Sequence, residues 1–175
     1  MNISPEWRVR AKTKANEILE DVAPSCPMKA PVDINEVIKA YVGDVHIEVS
    51  FDPVFPEGVS AFSTKDIILG WLILINGRDA TVHQRFSAAH ELAHIALLPN
   101  QRNREYCSTH SKDPYEKLCD RFAGHILMPD ALVRDFYKST PFPYLWEFAR
   151  KFNVSTQAAE IELKRLGLPF KKLMS

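Results

Sequence analysis

Residues 85–98 read RFSAAHELAHIALL, an apolar run that holds two histidines and a glutamate, His90, Glu91 and His94. On an α-helix His90 and His94 are four positions apart, so their rings stand on one face about one helical pitch, 5.4 Å, from each other. The remaining positions are apolar on nearly every side, which is the pattern of a buried helix. Burying two imidazoles and a carboxylate without partners costs several kcal/mol, and a shared divalent cation removes that cost.

The plainer reading is a pair of hydrogen-bonded core histidines beside a paired glutamate. The H-E-x-x-H spacing on a helical segment favours the metal instead, because it is the arrangement of zinc peptidases. Glu91, rotated by about 100° from His90 along the helix, is badly placed as a third ligand and well placed to reach a water on the open side of an ion. A catalytic zinc site needs one more protein ligand. Downstream, YEKLCDRFA (residues 115–123) carries Glu116 and Asp120 at i, i+4 on one helical face. One of these carboxylates can bind the metal while the other accepts a ring N–H from a ligand histidine. Lys117 and Arg121 beside them offer a competing reading as a solvated ion-pair face, and Glu105 and Asp113 are further oxygen donors. Ala123 and Gly124, a turn further on, let this helix approach its neighbour closely.

The chain around this helix alternates in type. Residues 5–22 form a charged amphipathic helix, and APSCPMKAP after it has three prolines in nine residues and forms a loop. Asp33 caps a second helix that Gly43 stops. Residues 45–75 change to strand patterning: VHIEVSF alternates, GVSAFST is short and β-branched, and IILGWLILI is a continuous apolar run bounded by turn residues. A small mixed or antiparallel sheet is expected there. The helix bearing the histidines begins near Asp79 or Thr81 and ends before Pro99. Residues 100–111 are polar and irregular. Asp113 and Pro114 then start another helix, Pro129 breaks it, and three shorter helices follow, near residues 130–137, 144–152 and 155–166. The fold class is α+β, a small sheet packed on an active-site helix. Residues 1–140 are expected to form the main domain and residues 141–175 a helical hairpin packed on it.

Composition excludes several classes. The 175 residues are 46% hydrophobic and 25% charged, with 22 basic and 22 acidic side chains, so no net field draws the chain to nucleic acid or anionic lipid. The three cysteines, Cys26, Cys107 and Cys119, form no C-x-x-C pair and suit neither a disulfide framework nor a four-cysteine zinc site. The first residues lack the apolar core of a secretory signal, and residues 67–75 are too few to span a bilayer. A cytoplasmic protein that does not engage membranes is the expectation.

Three segments in order, RFSAAHELAH, EKLCDRFAGHILMP and FARKFNVSTQAAEIELKRLGL, resemble the ImmA/IrrE family of zinc metallopeptidases over residues 30–168. The resemblance implies a minimal zincin fold, with His90, His94 and Glu116 as metal ligands and Glu91 as general base. Asp120 is then expected to orient a ligand histidine. It implies Zn2+ as cofactor, with Mn2+ or another divalent ion able to take its place. As substrate it implies a protein, a helix-turn-helix repressor or antitoxin-like regulator. Departures from the family pattern are Ala93 in place of a glycine, Pro99 where a further histidine often follows, and Leu118 and Cys119 at positions commonly Glu and Ala. None removes a proposed ligand; Cys119, one turn from Glu116, would alter the site if its thiolate lay near the ion, and reads first as a packing residue.

The expected reaction is peptide-bond hydrolysis, with Glu91 taking a proton from water and returning it to the leaving amine. Tyr106 and His110 are weak candidates for stabilising an oxyanion; His125, near the opposite face of its helix, reads as structural. Two other classes compete. One is a metal-bound protein that sequesters a partner regulator without cleaving it. The other is a DNA-binding helix-turn-helix in LWEFARKFNVSTQAAEIELKRLG, disfavoured because Glu160 and Glu162 repel phosphates and because Val154, Ala158, Ile161 and Leu166 account for the pattern as a helical core.

Overall fold

The computed structural model describes residues 4–51, 55–66, 68, 70–97 and 113–172, and the backbone of 107–108. Its elements are α1 (Pro5–Val22), α2 (Ile34–Val42), β1 (Val45–Ser50), β2 (Val59–Asp66), β3 (Gly70–Asn76), α3 (Thr81–Leu97), β4 (Cys107–Ser108), α4 (Pro114–Leu127), α5 (Asp130–Ser139), α6 (Leu145–Phe152) and α7 (Thr156–Leu166). The fold is α+β, with a mixed four-stranded sheet in the order β1-β3-β2-β4. β1 runs parallel to β3, with Val45 opposite Trp71, and β2 runs antiparallel to β3, with Ala61 opposite Ile75 and Ser63 opposite Ile73.

Helix starts follow their capping chemistry. Ser4, Asp33, Asp113 and Ser155 each place a side-chain oxygen on a backbone N–H of the first turn, and Pro5 and Pro114 occupy first-turn positions where no donor is needed. Gly43 ends α2 at φ 79°, a conformation that favours glycine.

The apolar run at residues 67–75 is not one strand. Ile68 is 89% exposed in a turn, and β3 begins only at Gly70. Gly70 has φ 75°, and a Cβ there would lie 2.5 Å from the carbonyl oxygen of Asp44, which accepts the N–H of Trp71 at 2.9 Å. A tight turn and a close backbone contact thus override the hydrophobic pattern. Past the turn, β3 alternates: Ile73 and Ile75 are buried while their neighbours are half-buried.

The buried side of the sheet carries α3, whose residues 87–93 are all buried, and α4 packs on α3 and on α1. Ala11 and Ala15 of α1, Phe122 and Ile126 of α4, and Phe148, Phe152 and Leu163 from α6 and α7 belong to one apolar cluster. The register of α7 differs from the expected one. Ile161 is 52% exposed, whereas Ala159, Glu162 and Leu163 are buried. Glu162 is drawn inward by Arg165 at 2.7 Å and faces His125 Nδ1 at 3.4 Å; Arg165 also pairs with Asp130, which Lys12 meets at 2.7 Å. This network joins α1, α4, α5 and α7, and its two cations already neutralise the carboxylates of Asp130 and Glu162. Gly124 faces this network, and a Cβ there would meet Glu162 Oε2 at an ordinary contact distance of 3.5 Å. Among the described residues no helix is long and apolar enough to cross a membrane.

Candidate metal centre

α3 and α4 bring the predicted side chains to one place. His90 and His94, one turn apart on α3, have ring centroids 5.0 Å apart. Glu116, in the first turn of α4, lies against both: its Oε2 is 3.1 Å from His90 Nε2 and 3.7 Å from His94 Nε2. Asp120, one turn further along α4, meets the other ring nitrogen of His90, with Nδ1 to Oδ1 at 2.9 Å. His90, Glu91 and Glu116 are all buried. The i, i+4 spacing on both helices produces this convergence, because each helix turns two polar residues toward the same seam.

Burial pushes the Glu116 carboxyl up, but hydrogen bonds from His90 and His94, and then their charges, outweigh it and hold the group well below the usual carboxylate range. The pattern of donors and acceptors fits a cation. In the metal-free protein a proton on His90 Nε2 makes the bond to Glu116; with Nδ1–H donated to Asp120, loss of that Nε2 proton leaves a lone pair facing the Glu116 oxygen. Two acceptors facing each other at 3.1 Å need a proton or a positive ion between them. Two imidazole nitrogens and a carboxylate are a donor set of catalytic zinc sites.

Cys119, expected first as a packing residue, stands at the same seam. The sulfur and one nitrogen from each of His90 and His94 all lie within 4.8 Å of one another, a group able to hold a metal ion. Ser63 was not singled out by the sequence. Its Oγ donates to Glu91 Oε2 at 2.6 Å. Ser63 pairs with Ile73 across the sheet and so shares the face that carries α3. Nothing local in GVSAFST marks it, because the contact joins residues 28 apart in the chain.

Asp113 uses its side chain to accept the Tyr115 N–H at the start of α4. His125 is buried in the network with Glu162, away from the seam. Glu105, Tyr106, His110 and Pro99 lie outside the described residues.

A family model described as the IrrE N-terminal-like domain, peptidase M78, matches residues 43–164. Among solved structures the chain is similar to a Mycobacterium tuberculosis transcriptional regulator, with TM-score 0.55 and 12% identity, over 90% of this chain and 46% of that one. At that identity the likeness is one of fold, and this chain spans about half the length of that regulator chain. No curated protein matches the chain.

Proposed function

Because this chain belongs to the IrrE N-terminal-like peptidase family, whose domain spans residues 43–164, we propose that it is a divalent-metal-dependent endopeptidase, with zinc as the ion. The observation that carries the reading is the meeting of His90 Nε2 and His94 Nε2 on one oxygen of Glu116, with Glu91 buried on the same helix as the histidines. His90, His94 and Glu116 would hold the ion, and Asp120 would fix the His90 ring by accepting its Nδ1 proton. When bound, such an ion supplies Lewis acidity, lowering the pKa of a water towards about 7 and polarising a carbonyl.

The chain's own residues do the rest. Glu91 takes the water proton on its carboxylate and delivers it to the departing amine nitrogen. Ser63, by donating to Oε2, limits the rotation of that carboxylate and leaves Oε1 as the oxygen for proton transfer.

The proposed substrate is a helix-turn-helix transcriptional regulator or antitoxin-like protein, as the resemblance to ImmA/IrrE proteins implies. A role of α6 and α7 in reading duplex DNA is not proposed: Arg165 is turned inward to Glu162 and Asp130, and Lys164 is paired with Glu160.

Incubating the zinc-loaded protein with candidate helix-turn-helix regulators, first any that is encoded beside it, tests the reading by mass spectrometry. A discrete fragment is expected, and Glu91→Gln should abolish it while leaving the zinc content unchanged. A regulatory effect that survives Glu91→Gln would assign the protein to sequestration of its partner instead.

A further inference from the structure

Cys119 follows Glu116 by one turn on α4, is fully buried, and is in no disulfide. Positions 116, 119 and 120 fall on one helical face at i, i+3 and i+4, so the geometry that delivers Glu116 and Asp120 to the seam delivers this thiol as well. Its sulfur joins a nitrogen of His90 and one of His94 within a mutual 4.8 Å. Glu116 Oε2 touches the same two imidazoles at 3.1 and 3.7 Å. The Cys119 sulfur and the Glu116 oxygen, both from α4, thus each lie against the same two imidazoles of α3.

Resting on the metal-site reading above, we propose that Cys119 is a fourth protein donor to the ion. A sulfur donor favours thiophilic ions such as zinc and cobalt over manganese, which a two-nitrogen, one-oxygen set discriminates less sharply. Four protein donors also complete a tetrahedral site. Cys119 thus governs whether a coordination position is left for water, and with it how active the site is at rest.

Titrating the metal-free full chain with Co2+ reads this directly and needs no substrate. At one equivalent the wild type should show visible d–d bands together with a sulfur-to-cobalt charge-transfer band in the near ultraviolet. Cys119→Ala and Cys119→Ser should keep the visible bands, which also reports that they fold, and lose the ultraviolet band. Their zinc affinity should fall by about tenfold or more, with manganese affinity little changed. Cys26→Ala should leave the spectrum as it is. Visible bands without the ultraviolet band in the wild type, or an ultraviolet band that survives in both Cys119 variants, would overturn the sulfur donor and leave the His90, His94 and Glu116 site standing. Cobalt that gives no visible bands and is lost on dialysis would overturn the metal site and the sulfur donor together.

Discussion

Ser63 Oγ and Glu91 Oε2 stand 2.6 Å apart, a strand hydroxyl donating to a carboxylate on the helix that packs over it. The contact fixes which oxygen of Glu91 is free, so its loss should act on turnover more than on binding. Ser63→Ala is expected to lower kcat for cleavage of the partner regulator by about tenfold with KM little changed, less than the roughly 10²–10⁴-fold of a positioned acid–base group itself, because Ser63 only orients Glu91. Zinc content should stay the same, and Ser63→Thr should restore most of the rate. A loss of bound zinc in Ser63→Ala would place the residue in metal retention instead.

Asp120 is expected to act through His90. Its side chain is 46% exposed, so it contributes little to packing, yet its Oδ1 accepts from His90 Nδ1 at 2.9 Å. Carboxylates in this relation to a ligand histidine typically change metal affinity by about 10–100-fold. Asp120→Ala should weaken zinc binding in that range in a chelator competition, with thermal stability of the metal-free protein unchanged. Equal zinc affinity in the variant and the wild type would remove Asp120 from the site.

These relationships differ in how legible they were. His90, Glu91 and His94 stand out because the helical period alone puts the two histidines on one face, and Glu116 with Asp120 repeats the device one helix later. Ser63 is silent because its role depends on strand register and on a helix 28 residues away. Cys119 reads as packing because a small buried thiol has no local signature that separates a ligand from a filler. The apolar run at 67–75 suggested one strand, and the turn inside it is decided by the approach of Asp44 to Gly70, a contact between distant segments. Two-residue β4 exists by pairing with β2 and carries no pattern of its own. On α7 the sequence pattern puts Glu162 outward and Ile161 inward; the reverse holds because Glu162 finds Arg165 and His125 inside.

The same network makes Arg165 a stability residue. It contacts Glu162, which is 2% exposed, and Asp130. Removing the cation leaves a buried carboxylate without its partner, a change that costs about 3–5 kcal/mol. Arg165→Leu should therefore lower the unfolding free energy by that amount, read as a lower urea midpoint with the slope of the transition unchanged. Lys164→Ala, which removes only a surface pair with Glu160, should leave the midpoint where it is. A midpoint in Arg165→Leu equal to that of the wild type would show that the network adds nothing to stability.

His125 gives the network a pH dependence whose sign can be worked out. Burial, and then the charge of Arg165, push its pKa down from 6.5 to about 4, with Arg121 and Lys12 acting in the same direction and Asp130 opposing them. Between those two values the unfolded chain holds a proton on this imidazole that the folded chain does not, so the unfolded state gains as pH falls. The stabilisation is complete above about pH 6.5 and is lost progressively toward pH 4, up to about 3 kcal/mol for a shift of this size. Glu162, raised by burial, has the opposite sign: its contribution is kept as pH falls and is lost as pH rises through its folded value. Glu116, held low in the metal-free protein, loses stability only as pH drops below the ordinary carboxylate range. The comparison that isolates the imidazole is therefore wild type against His125→Gln, both metal-free, unfolded in urea at pH 7 and at pH 4.5. The wild type should lose more stability between the two pH values than the variant, because only the wild type carries the imidazole that burial keeps neutral. Parallel losses would mean that His125 keeps its ordinary pKa in the folded chain.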